Sequence, residues 1–509
     1  MDELNNGIRG VLIWSVWFPS SGLGTPVLEA PASRLVVDGK LELPRLHSQA
    51  GAWELVKSKY RMEISNNPEV QRVLDWLFSF IEPVEWRSRK KKIEQHLGDL
   101  HKPKKSRQEA INHESLSVQS DKMGWYLYLA EMILTESTKY EPIQGARVIP
   151  IFERLGTDFE LLRQIGGIEQ KLINLLKFGK RNIPEPDSAL FEILVALLWK
   201  RNGWKDVSFI PESPLEKRPD IKAASENTEW FIECKRLNGA SEYSKEERQK
   251  WIKMWRHLRD YLVAKQIPAV FEIVFHVELD TLPDDFLVRQ LAGKLPLLSS
   301  SCLVISNEQW QVSFDTVNFE KAKAHLEQFS VKMPSTQLQE LIAGYRDPNR
   351  GFTHVVCGKT EYFGEGHVNN KYLTSMDFAA GAFWHCDAGR SVDKKARDMK
   401  KRLGEAVDQL PENKNSVVHV GLETLDGVLV EEEIFNTAQN FDNSGKDLHW
   451  IYCHLFQSYA PPDQDWVFDE TVHYFSHKDC RHEQPLTHHL VMTDVGASND
   501  GVHWLRNAP

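Results

Sequence analysis

Four side chains within residues 188–236 have types and spacing that suit phosphate and divalent-cation chemistry: Glu192, Asp220, Glu233 and Lys235. The run Trp230-Phe231-Ile232-Glu233-Cys234-Lys235-Arg236 alternates aromatic, β-branched and polar residues without Gly or Pro, the pattern of a strand. Side chains two apart on a strand share a face, so Glu233 and Lys235 point together while Ile232 and Cys234 point the other way. A carboxylate and an ammonium are then neighbours, roughly 6–7 Å apart at Cα. Asp220 follows Pro219, which can open a strand because the first strand residue needs no ladder donor. Ser225-Glu226-Asn227-Thr228 suits a turn into the next strand, and such a hairpin brings Asp220 near Glu233. Two carboxylates converging on one point repel unless a divalent cation or a proton joins them.

The other element that must position this chemistry is a helix over residues 188–203. Asp187 or Ser188 can cap its start and Asn202-Gly203 can close it. It is apolar nearly all the way round, which predicts burial. Glu192 is the only charge between Asp187 and Lys200, and a buried carboxylate is costly unless paired or metal-bound. Its natural partner is whatever Asp220 and Glu233 also hold.

A helix carrying Glu, a strand, Pro-Asp, a turn and then Glu-x-Lys resembles the PD-(D/E)xK, restriction-endonuclease-like superfamily. The matching residues are Glu192, Asp220, Glu233 and Lys235, within residues 155–280. The Glu-Cys-Lys-Arg tetrapeptide and Phe191-Glu192 are similar to its Mrr-like branch. The resemblance implies a mixed α/β fold with an αβββαβ core and Mg²⁺-dependent phosphodiester hydrolysis, with Mn²⁺ as a substitute. Asp220 and Glu233 would bind the metal, Glu192 directly or through water, and the backbone carbonyl of Cys234 would add a ligand. Hard oxygen ligands suit Mg²⁺. Lys235 would hold the attacking water or help to deprotonate it. Lys217, Arg218 and Arg236 would contact nucleic acid. DNA is the expected polymer, and defence against foreign DNA fits by analogy alone. Two other readings stay open: a catalytically silent module that binds nucleic acid or a protein partner, and an RNA-processing nuclease. A protein partner or homo-oligomer is compatible with all three.

Composition sets outer bounds. The 509 residues carry a net charge of −10, which argues against coating nucleic acid by bulk charge but allows a local basic cleft. Six cysteines without a CxxC pair read as reduced thiols of a cytoplasmic protein. No apolar run is long enough to span a membrane. Val11 to Phe18 is apolar, but Asp2 and Glu3 precede it and no cleavage pattern follows, so it reads as a first strand rather than a signal peptide.

Three regions are expected. Residues 1–150 form a short β segment, with an Asp38-Gly39 hairpin, followed by helices. Residues 151–280 form the nuclease core. Residues 281–509 form an α/β region with a recognition or regulatory role. Nine cations between Arg87 and Arg107 face only Glu94 and Asp99, which suits either a solvated helix end or a phosphate-contacting patch. One helix is expected over 157–180 and another over 245–265, whose Trp251, Met254, Trp255, Leu258 and Leu262 stripe reads as core. The last core strand is either 270–277 or 417–422, the latter preceded by a cationic helix over 394–410. Residues 348–390 read as Gly-rich and irregular.

Two further motifs are set aside. His473, His477, Cys480, His482, His488 and His489 cluster near the end without a standard zinc spacing, so they read as a His-rich segment. Gly358-Lys359-Thr360 lacks the first glycine of a phosphate loop, where Thr353 stands instead.

Overall fold

The computed structural model describes residues 11–17, 54–56, 67–100 and, apart from short gaps, 121–493. The expected Asp38-Gly39 hairpin and the cations from Lys102 to Arg107 lie outside these residues. Two strands come first, β1 (Val11–Trp17) and β2 (Glu54–Val56). Six helices follow: α1 (Pro68–Phe78), α2 (Pro83–Leu100), α3 (Lys122–Thr135), α4 (Pro142–Thr157), α5 (Phe159–Leu162) and α6 (Ile168–Leu176). Proline opens α1 and α4 where its missing N–H costs nothing, and Asn67 accepts the Val70 N–H at 3.0 Å to cap α1.

The single helix expected over 157–180 is broken. Gly167 takes φ +80°, a left-handed conformation that glycine adopts without a Cβ penalty. Beside it, Gly166 donates to the Val207 carbonyl at 2.9 Å and accepts the Phe209 N–H at 2.8 Å. That bridge fastens the start of α6 to the edge of a sheet.

Next come α7 (Pro186–Arg201), β3 (Asp206–Phe209), β4 (Ile221–Ser225) and β5 (Thr228–Leu237). Asp187 lies inside the first turn of α7 rather than capping it, since Pro186 is already helical. A long α/β region separates β5 from the elements that complete its sheet. It contains α8 (Glu242–Lys265), β6 (Ala269–Phe275), α9 (Phe286–Leu291), β7 (Cys302–Ser306), β8 (Trp310–Asp315), α10 (Phe319–Gln328), β9 (Phe329–Lys332) and α11 (Thr336–Ala343). The supposedly irregular stretch 348–390 is largely sheet: β10 (Gly351–Gly358), β11 (Thr360–Tyr362), β12 (Lys371–Leu373) and β13 (Phe378–Cys386). Ala379, Ala380, Gly381 and Ala382 hid β13, because small residues have low strand propensity and earn their place here by fitting a strand buried on both faces. The chain closes with α12 (Gly389–Val407), β14 (Ser416–Leu422), α13 (Val428–Gln439), β15 (Leu448–Tyr459) and β16 (Val467–Ser476).

The architecture is mixed α/β. One six-stranded sheet runs β1-β10-β13-β6-β8-β7, a four-stranded sheet runs β11-β12-β9-β2, and a second six-stranded sheet runs β16-β15-β14-β5-β4-β3. In this last sheet β3, β4 and β5 are antiparallel neighbours, while β14 lies parallel to β5 and β15 parallel to β14. The strand beside β5 is therefore the 417–422 candidate. The 270–277 candidate is β6, paired with β8 and β13 in the other large sheet. A core complete by residue 280 does not form. Its sheet needs β14, contributed by residues 416–422 after more than 150 residues of intervening chain.

Burial follows the sequence pattern. Ile193 to Trp199 of α7 are at most 2% exposed, and the Trp251–Leu262 stripe of α8 packs into the core beneath the β6 sheet. Gly421 on β14 makes room for α7: a Cβ there would sit 3.0 Å from the Phe191 ring. Among the described residues no helix is long and apolar enough to cross a membrane.

Candidate active site on the β4–β5 hairpin

The hairpin register pairs Ile221 with Ile232, which sets Asp220 just outside β4 and level with Glu233. Asp220 Oδ2 accepts the backbone N–H of Cys234 at 2.8 Å, and its carboxyl lies within hydrogen-bonding reach of Glu233. Glu233 is 0% exposed. Its Oε1 receives Lys235, which shares its strand face, and the Gln409 side-chain amide at 2.8 Å. Its Oε2 is buried and has no donor. Glu192 approaches from α7 and is ion-paired with Lys171 of α6. The structure thus brings Glu192, Asp220, Glu233 and Lys235 into one electrostatic neighbourhood.

Burial raises all three carboxyls, and the Asp220 charge adds to the rise of Glu192 and Glu233. Burial and then the Asp220 charge raise Glu192 from 4.5 to about 8, and Lys171 lowers it without cancelling the rise. Burial raises Asp220, against the opposing pull of the Cys234 N–H, Lys171 and Lys235. Burial and Asp220 hold Glu233 well above the usual carboxylate range. Burial pulls Lys235 down, but Glu233 outweighs it and keeps the ammonium charged. Buried acids with raised values beside a lysine are an arrangement that functional sites use.

Two members of the cluster had no signal in the sequence. Lys171 was one cation in a helix that looked continuous; the Gly166-Gly167 break turns it onto Glu192 and over the Phe209 ring, 5.4 Å from its centroid. Gln409 lies just past α12 and reaches Glu233 because β14 pairs with β5. Gln409 and Asp220 both line an open cavity of about 420 Å³, together with Lys217 and Arg218.

The expected nucleic-acid contacts divide. Lys217 and Arg218 are exposed at the cavity, Lys217 facing Asp408 at 3.1 Å and Arg218 facing Glu216. Arg236 is not with them. Its side chain is 4% exposed and bonds Glu423 at 2.5 Å, on the strand face opposite Glu233. Glu423 also binds Arg147, which reaches Asp187, itself held by Lys122 and Tyr126. Burial pushes Asp187 up, but Arg147 and Lys122 outweigh it and keep the carboxylate ionised. Arg236 therefore joins β5 to the helical layer and has no path to a phosphate. The Cys234 thiol is buried and pushed well above its ordinary value, so it is inert; what Cys234 offers the site is its backbone.

Among the described residues no group of three or more His, Cys, Asp or Glu side chains stands in position to hold a metal ion as the rotamers lie. The terminal histidines disperse: His473 packs on Phe435, His488 lies against Arg201, and His489 stacks on Tyr474, while His482 is outside the described residues. None of the six cysteines forms a disulfide. Instead a polar chain crosses the sheet interior. His419 Nδ1 is 2.8 Å from His454 Nε2, and His454 Nδ1 is 2.6 Å from Glu470 Oε1, all three residues being at most 1% exposed. No protein-family model, curated protein or solved structure matches the chain.

Proposed function

We propose that the chain is a metal-dependent nuclease of the PD-(D/E)xK, restriction-endonuclease-like kind, hydrolysing phosphodiester bonds in nucleic acid, with DNA the polymer its sequence resemblance favours. The observation that carries this reading is Glu233. It is a fully buried carboxylate with one oxygen unpartnered, beside Asp220 and with Lys235 on its own strand face. A buried carboxylate oxygen without a partner is costly, and a divalent cation shared with Asp220 would supply one to Oε2. The sheet order supports the reading too: three antiparallel strands, then a parallel neighbour reached through α12, with 238–388 inserted before that helix.

The donor set fits Mg²⁺ or Mn²⁺. Asp220 and Glu233 offer hard oxygens, with the Cys234 carbonyl beside them, and Glu192 stands close enough for the Asp220 charge to raise it. A divalent cation held there would stabilise charge on the phosphate and activate a water. Lys235 would hold that water on the Glu233 side. Gln409 fixes the Glu233 rotamer, and Lys217 and Arg218 supply exposed charge for the substrate backbone at the cavity mouth.

One observation favours the silent-module reading: Lys171 and Lys235 already neutralise Glu192 and Glu233. Incubation of end-labelled double- and single-stranded DNA and RNA with the full chain, in Mg²⁺ or in chelator, separates the two. The nuclease reading expects Mg²⁺-dependent products. Binding without cleavage, in any divalent cation, favours the module.

A further inference from the structure

We propose that Lys171 is a permanent second cation of this site, so that the three carboxylates take one divalent ion, held by Asp220 and Glu233, and not two. The inference rests on the metal-dependent reading above. Lys171 is built in rather than adventitious. The Gly166 bridge fixes α6 to β3, the ammonium lies over Phe209, and it pairs with Glu192 while the side chain is only 19% exposed. Its charge also acts on Asp220, so it serves more than its Glu192 partner.

Charge balance points the same way. Counted with all three acids ionised, as ligation of a divalent ion would require, the carboxylates against the ammonium groups of Lys171 and Lys235 leave one net negative charge. One divalent ion and one phosphodiester bring the site to neutrality. A second divalent ion would leave a surplus of two positive charges in largely buried surroundings, an arrangement that desolvation opposes. It would also compete with Lys171, whose ammonium already holds Oε2 of Glu192. Of the three acids, Asp220 is the one whose bond is to a backbone N–H rather than to a lysine, which leaves carboxylate oxygen for the metal.

The test is Mn²⁺ titration calorimetry with Mn²⁺ electron paramagnetic resonance on the full chain, using Asp220→Asn to subtract ions bound elsewhere on an acidic protein. The wild type is expected to bind one ion above that background, with the spectrum of an isolated ion. Glu192→Gln is expected to keep one ion and lose about tenfold in affinity, as for a group outside the ligand shell. Lys171→Met, which vacates Glu192, is expected to bind two ions with a spin-coupled spectrum. If Lys171→Met does not fold, the Glu192→Gln result decides. Two coupled ions in the wild type, loss of the ion in Glu192→Gln, or a single ion in folded Lys171→Met would each overturn the role of Lys171 and leave the metal site standing. No ion above background in the wild type would remove the metal site and this inference together.

Discussion

Asp220 and Cys234 are joined across the β4–β5 hairpin: the backbone N–H of Cys234 donates to Asp220 Oδ2 at 2.8 Å. The bond holds one side of the Asp220 carboxylate while the carboxylate also faces Glu233. Asn at this position keeps an acceptor for the Cys234 N–H and removes the charge. Asp220→Asn is therefore expected to fold, with its circular dichroism spectrum unchanged, and to lose roughly a hundredfold or more in cleavage rate. Retention of wild-type cleavage would exclude Asp220 from the chemistry.

Gln409 controls the geometry of Glu233 from outside the hairpin. Its amide donates to Glu233 Oε1 at 2.8 Å. Gln409→Ala is expected to weaken Mn²⁺ affinity by about 10–100-fold, the range for partners that orient a metal ligand, with a stability loss of about 1 kcal/mol. Unchanged affinity by calorimetry would mean that Lys235 alone holds the rotamer.

How much of this was legible in the chain depended on distance along it. The hairpin could be read because Asp220, the turn and Glu233 lie within one short stretch whose alternation fixes faces. The burial of α7 could be read because its apolar residues leave no polar face. The partner of β5 could not, since 270–277 and 417–422 are equally apolar and only three-dimensional pairing separates them. Arg236 looked like a phosphate contact by its neighbours in sequence, yet its strand face and the distant Glu423 made it structural. Lys171 was hidden by two glycines that pass for helix residues until one of them adopts a positive φ.

The Glu192 carboxyl makes stability depend on pH in a definite direction. Burial and Asp220 raise it from 4.5 to about 8, so the folded chain binds this proton more tightly than the unfolded chain. The stability it contributes is present below the unfolded value and is lost as pH rises toward the folded one. Asp220 and Glu233, also raised, act in the same direction. In chelator, Glu192→Gln is expected to gain melting temperature relative to the wild type between about pH 5 and about pH 9. A difference that stays constant over that interval would contradict the raised value.

The His419–His454–Glu470 chain sets a stability prediction independent of the site. Trp199 Nε1–H donates to His419 Nε2 at 3.3 Å, which places the His419 proton on Nδ1, toward His454, and the His454 proton toward Glu470. Glu470 Oε2 also accepts the Met492 N–H at 2.9 Å. Glu470→Ala strands the buried His454 donor and the part-buried Met492 N–H and is expected to cost about 3 kcal/mol in urea unfolding. Cleavage per folded molecule should hold, because the chain touches none of the acids on the hairpin. A cost below about 1 kcal/mol would show that the donors find other partners.

The most direct test of the central claim is the Mg²⁺- and Mn²⁺-dependent cleavage of supercoiled plasmid and single-stranded DNA by wild type, Asp220→Asn and Lys235→Met, prepared in parallel. Cleavage by the wild type that chelator stops and both substitutions abolish is the predicted result. Cleavage that survives both substitutions would place the activity elsewhere and contradict the assignment of Asp220, Glu233 and Lys235 as the catalytic centre.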